Sequence, residues 1–198
     1  MLNDGKDFLL FCFKQNTNNT LYQFNFDGSS YAHNSGSEIT LSYLPEHADT
    51  NVFAMLNDGD VSRLYLGDKN PDESFRYTVR NLKNDRQWYP GDASSILYQY
   101  VWDGETFQLE SDSPDIGVIG LSDSANLNTI AMLHTGEEYV YYALDHNKES
   151  VCQAAFTGGV YAGRNVLNIK NIPQRTNTNT FSMAYGDKTY QLYFLEDE

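Results

Sequence analysis

The chain repeats itself, and this constrains its fold more than any other property, because a unit too small to bury its own faces must stack on its neighbours. Three segments open alike: Met1-Leu2-Asn3-Asp4-Gly5, Phe53-Ala54-Met55-Leu56-Asn57-Asp58-Gly59 and Ile130-Ala131-Met132-Leu133-His134-Thr135-Gly136. A weaker fourth is Phe181-Ser182-Met183-Ala184-Tyr185-Gly186. A second signature follows in three copies with glutamine at the same place each time: Leu21-Tyr22-Gln23-Phe24-Asn25-Phe26-Asp27-Gly28, Leu97-Tyr98-Gln99-Tyr100-Val101-Trp102-Asp103-Gly104 and Val151-Cys152-Gln153-Ala154-Ala155-Phe156-Thr157-Gly158. The interval from Gly5 to Gly28 matches that from Gly136 to Gly158 within one residue, whereas Gly59 to Gly104 is about twice as long. The surplus, near 73–94, holds a strand-like run, Ser74-Phe75-Arg76-Tyr77-Thr78-Val79-Arg80, and then Trp88-Tyr89-Pro90-Gly91.

Each repeat reads as short β-strands: an apolar run before the glycine, a Tyr-rich run after it, the glutamine strand, and an outer strand such as Ile39-Thr40-Leu41-Ser42-Tyr43-Leu44. The Tyr-rich runs are Arg63-Leu64-Tyr65-Leu66, Tyr139-Val140-Tyr141-Tyr142 and Tyr190-Gln191-Leu192-Tyr193-Phe194. Helix signals are nearly absent, and stretches such as Asn16-Thr17-Asn18-Asn19-Thr20 and Thr176-Asn177-Thr178-Asn179-Thr180 read as loops. A four-stranded unit of about 50 residues predicts an all-β, β-propeller-like array of three repeats plus a partial fourth. The expected single domain is 1–198, with repeats at about 1–52, 53–129 carrying the insert near 73–94, 130–180 and a partial 181–198. The partial last repeat would present an unpaired strand edge, a site for homo-oligomerisation.

Composition narrows the partners. With 40% hydrophobic residues, fifteen Tyr and eleven Phe, the chain is rich enough in apolar side chains to fold. Thirteen Lys plus Arg against 27 Asp plus Glu leave a net charge of −14, which repels phosphate backbones and anionic head groups and argues against nucleic-acid and membrane partners. No run reaches the roughly 20 apolar residues of a membrane span. The first residues lack the basic start and cleavage site of a signal peptide, so a cytoplasmic or non-classically secreted protein is expected. Cys12 and Cys152, with four scattered histidines, fit no zinc spacing and read as buried small apolar residues, the histidines as turn residues facing water. The loop starting at Asp68 opens like a calcium loop, but Glu73 and Val79 stand where glycine and the bidentate glutamate belong, so no metal or other cofactor is implied. No nucleophile elbow, metalloprotease, phosphate-loop or dinucleotide motif is present in the sequence, so no catalytic residues are assigned.

At these residues the repeat resembles the blades of the fungal and bacterial fucose-specific lectins. The copy that matches best runs from Phe53 to Gly91, through Phe53-Ala54-Met55, Gly59, Arg63-Leu64-Tyr65-Leu66, Phe75-Arg76-Tyr77 and Trp88-Tyr89-Pro90-Gly91. In the copy from Ile130 to Gly163, Tyr139 stands where that alignment puts the binding arginine and Val160 where it puts the tryptophan. The resemblance implies sites between blades in which an arginine and a glutamate bond ring hydroxyls under an aromatic cover. Here Gln23, Gln99 and Gln153 hold the glutamate position, able to donate and accept without charge. The expected ligand-binding residues are therefore Arg63, Arg76, Trp88 and Tyr89 with Gln23, Gln99 and Gln153, in a carbohydrate-binding module for neutral glycans, fucosylated ones first. Structural readings stand beside these: Trp88 as an edge aromatic, the glutamines as ties between strands, and Trp102, which aligns with Phe26 and Phe156, as core. Two alternatives go with the resemblance: a propeller that has lost sugar binding and serves as a small-molecule-binding or cyclisation enzyme, and an oligomerising interaction module.

Overall fold

The computed structural model describes residues 2–3, 8–15, 17, 19–59, 61–69, 93–110, 115–147, 149–157, 159–172, 176–186 and 189–196. These residues form strands and turns, as their content of Tyr, Phe, Val, Ile and Thr favours. Strands β1 (Leu2–Asn3), β2 (Phe8–Phe13), β3 (Thr20–Phe26) and β4 (Tyr31–Thr40) make a four-stranded antiparallel sheet in chain order. Nine strands share the central sheet: β5 (Ala48–Asn57), β6 (Ser62–Asp68), β7 (Ala93–Trp102), β8 (Phe107–Leu109), β9 (Asp115–Ile119), β10 (Ala125–His134), β11 (Tyr139–Asp145), β12 (Ser150–Thr157) and β13 (Val160–Asn168). Strands β14 (Thr176–Gly186) and β15 (Thr189–Glu196) form a two-stranded hairpin sheet.

This topology overturns the propeller expectation. Propeller blades are separate sheets, but here the order β10-β11-β12-β13-β9-β7-β6-β5 is continuous, with β8 added on β7. The join is β9, antiparallel to β7 and parallel to β13 through Tyr161↔Val118 and Ala162↔Ile119. The two end strands, β5 and β10, pack against each other, so the sheet curls back almost closed. The result is a near-barrel flanked by two small sheets, sandwich-like in section. A repeat in sequence specifies similar strands but not which strand the outer one pairs with. Where β13 meets β9 the backbones cross closely at Gly163, and an added Cβ there would collide with the Gly120 carbonyl.

Within this topology the repeated segments keep one register. The glutamine strands align as Phe11↔Gln23, Tyr65↔Gln99 and Tyr142↔Gln153, and the opening strands as Ala54↔Tyr65, Ala131↔Tyr142 and Ser182↔Tyr193. Strand alternation then sends residues to opposite faces. Phe11 packs toward Leu64, Tyr65 toward Tyr141, and Tyr142 toward Met183 and Leu192, giving three apolar layers. The middle layer lies inside the curled sheet.

Several local expectations are corrected. Thr176–Thr180 are not a loop but the start of β14, whose ladder slips between Asn177 and Phe181. The same slip occurs between Asp49 and Phe53 and between Asn126 and Ile130. At the latter two, Asp49 Oδ1 accepts the Asn51 amide at 2.9 Å and Asn126 Oδ1 the Asn128 amide at 3.1 Å, so a polar side chain closes the bulge. The outer strand expected at 39–44 is β4, which ends at Thr40. Cys12 is exposed because it lies on the uncovered face of its sheet, while Cys152 is buried. His33 sits in β4, not in a turn. Trp102 is partly buried against the first layer, but Phe26 and Phe156 are exposed. The insert near 73–94 falls almost wholly outside the described residues.

Candidate functional site

A half-buried ion pair with an aromatic partner gathers at the β5–β6 turn. Asn57 and Asp58 shape that turn: Asn57 Oδ1 accepts the Gly59 amide at 2.7 Å, and Asp58 Oδ1 accepts the Val61 amide at 2.8 Å. The second oxygen, Oδ2, faces inward and accepts from Arg63 Nε at 3.2 Å and from the Tyr139 hydroxyl at 2.6 Å. Arg63 follows the turn on β6 in the ladder pair Leu56↔Arg63, on the same face as Tyr65. Tyr139 arrives from β11, so one carboxylate ties the two halves of the curled sheet together. The guanidinium carbon lies 5.7 Å from the Tyr139 ring centroid. The Asp58 side chain is 7% exposed and that of Arg63 21%, so the pair is shielded but the arginine still reaches solvent.

Beyond Tyr139, aromatic rings of the same sheet interior pack on one another. Tyr161 stands 6.4 Å from Tyr65 and 6.2 Å from Tyr141, centroid to centroid, and Phe156 lies 5.2 Å from Tyr161. His134 packs on Tyr139 at 4.5 Å. Burial pushes the Tyr65 phenol up to about 12 and that of Tyr161 well above its ordinary value. Tyr139 is raised too, by burial first and then by its hydrogen bond to Asp58. These phenols stay neutral at physiological pH and act as hydrogen-bonding groups rather than bases. Among the described residues no group of His, Cys, Asp and Glu is placed to hold a metal ion.

Of the residues singled out from sequence, Arg63 is in this cluster and Gln99 shares its sheet face. Gln23 and Gln153 lie at the matching ladder positions but face other layers. Gln23 Nε2 donates to Asn25 Oδ1 at 2.9 Å, and Gln153 Nε2 to the Tyr142 hydroxyl at 3.2 Å. Arg76, Trp88 and Tyr89 lie outside the described residues. Tyr139 is not a replacement for Arg63: the pairs Asn57↔Ser62 and His134↔Tyr139 align it with Ser62, and in space it is the arginine's partner. Asp58 and Tyr161 were not singled out as site residues. The only local signal for Asp58 is its place in the Asn57-Asp58-Gly59 turn, and a contact between residues so far apart in sequence leaves no pattern.

The protein belongs, by its geometry, to the all-β class with a curled central sheet and small flanking sheets. Comparison with family models, with curated proteins and with solved structures yields no match. The resemblance to fucose-specific lectins does not survive. A lectin site of that kind needs a cleft between separate blades, whereas Arg63 faces the inside of one continuous sheet and is engaged by Asp58 and Tyr139. The glycan-binding and cyclisation readings, both built on propeller clefts, fall with it.

Proposed function

We propose that the protein is a binding module that recognises a planar acceptor group, a carboxylate or carboxamide on a flat ring, at the Arg63–Asp58–Tyr139 corner. The observation that carries this is the partly exposed Arg63 guanidinium, fixed at Nε by Asp58 and lying over the Tyr139 ring. An arginine held this way has little freedom left to lose when its outer edge forks onto two acceptor atoms. The neighbouring His134 and Phe156 rings suit a flat apolar body. The net charge of −14 opposes an anionic ligand at long range, but at physiological salt such charges are screened beyond about 8 Å. The local pair is neutral, so a carboxamide fits as well as a carboxylate.

Benzoate and benzamide are the probes, with acetate as a control lacking the ring. Titration followed by thermal shift and amide spectra should show both aromatic probes binding, and R63K, which keeps the charge but loses the fork, should weaken them about tenfold. The proposal fails if neither probe binds at about 10 mM or if R63K binds both as the parent does.

A further inference from the structure

Each of the three apolar layers joins the same two kinds of sheet face. One kind carries the residue series Phe11, Tyr65, Tyr142 and, by register, Tyr193. The other carries Leu64, Tyr141, Leu192 and, by register, Leu10. The pairs Leu10↔Phe24, Leu64↔Tyr100 and Tyr141↔Ala154 establish the second series, and Met183↔Leu192 beside Met132↔Tyr141 extends it to the hairpin. In every layer a face of the first kind packs on a face of the second.

Among the described residues two faces remain open, one of each kind. On the β1–β4 sheet the face bearing Leu10, Cys12, Phe24 and Phe26 is uncovered: Leu10 is 38% exposed, whereas its equivalents Leu64 and Tyr141 are at 0%. On the β14–β15 hairpin the open face carries Tyr193, 44% exposed, whereas Tyr65 and Tyr142 are at 1% and 0%. The β1–β4 face is apolar and marks an interaction surface; the hairpin face, where Tyr193 lies beside Ser182, Ala184 and Gln191, is mixed, and the pairing of the two kinds of face is already drawn inside the chain.

We infer that the protein associates head to tail with a second copy of itself, the Leu10–Phe24 face of one chain packing on the Tyr193 face of the next. The contact is heterologous, so each copy keeps one face free and the assembly grows into a ring or a short stack. Two chains of charge −14 repel each other, so the association tightens as salt rises, because screening removes the repulsion while apolar contact persists. The inference is independent of the ligand proposed at Arg63, which shares a sheet face with Tyr65 and lies on neither open face.

Sedimentation velocity on the full chain and on L10D and Y193D tests it. The parent at about 100 µM, enough to saturate a micromolar contact, should exceed 22.5 kDa at least twofold, and more so at about 0.5 M salt. Each variant alone should be monomeric, and their equimolar mixture should regain a dimer, since the intact face of one meets the intact face of the other. A parent monomer at that concentration overturns the inference and assigns the open faces to another protein or to further chain. A mixture that stays monomeric overturns it as well. Circular dichroism checks that both variants fold, with F26D, at another exposed position of the first face, standing in if L10D does not.

Discussion

Among the described residues Tyr141 is one whose chemistry the interior does not explain. It is wholly buried, and its hydroxyl is the only buried side-chain polar atom without a hydrogen-bond partner among the described residues. Burial drives its phenol far above the ordinary tyrosine value. The equivalent positions hold Leu10, Leu64 and Leu192, so the ladder asks only for an apolar side chain there. An unsatisfied buried hydroxyl costs about 1–3 kcal/mol. Y141F, which removes that atom and keeps the ring against Tyr161, should therefore stabilise the protein by about 1 kcal/mol, read as a higher urea midpoint with unchanged slope. A lower midpoint would show that the hydroxyl has a partner in solution. Benzoate binding should be unaffected, since Arg63, Asp58 and Tyr139 keep their contacts.

At the scale of elements, the turns are where sequence spoke most plainly. Asp27-Gly28 and Asp103-Gly104 close the β3–β4 and β7–β8 hairpins in the same way. Gly28 and Gly104 take φ of 99° and 108°, a region that costs other residues, and the aspartate carboxylate accepts two amides of the turn. These bonds hold Asp27 at about 2, through the amides of Ser29 and then Ser30. Asp103 is likewise lowered to about 2, through Thr106, then Glu105, then the Gln108 side chain. In the unfolded chain an aspartate titrates near about 3.9. The folded state thus binds fewer protons in between, and the contribution of both turns is complete above about pH 4 and is lost as pH falls toward 2. The D27N/D103N variant carries no such titration. The midpoint gap between parent and variant should narrow as pH drops from about 5 to 2, and a gap that stays constant would refute the linkage. Strand type was legible for the same reason as the turns, since apolar alternation and Asp-Gly are local. The bulges were not. Thr176–Thr180 reads as a loop because its alternating Thr and Asn have the composition of a turn-forming stretch. Matching the Tyr-rich runs from their first residues aligned Tyr139 with Arg63, whereas counting from the turn glycines Gly59 and Gly136 sets it beside Ser62, as the ladder does.

For the whole molecule, the decisive contact is the β9–β13 crossing, and nothing in the sequence announces it. Repeats similar in sequence bury similar faces whether their sheets stay separate or merge, so the layered core was within reach of inference and the continuous sheet was not. Nor was the Arg63 corner, because Asp58 and Tyr139 meet only once the sheet has curled. The crossing makes its own prediction. An added Cβ at Gly163 would strike the Gly120 carbonyl, a backbone group that yields only if the strands part. At Gly117, on the same β9 strand, an added Cβ would meet Val160 Cγ1 at 3.7 Å, an ordinary contact. G163A should destabilise the protein by about 2 kcal/mol and speed hydrogen exchange at the Val118 and Ile119 amides, while G117A should leave both nearly unchanged. If the two sheet halves were held only by the side chains of the middle layer, the crossing would add little, and the two variants would behave alike. A difference between them locates the continuity of the sheet in the backbone. It would also weaken benzoate binding in G163A alone, because the Asp58–Tyr139 bond that sets the Arg63 fork spans the same two halves.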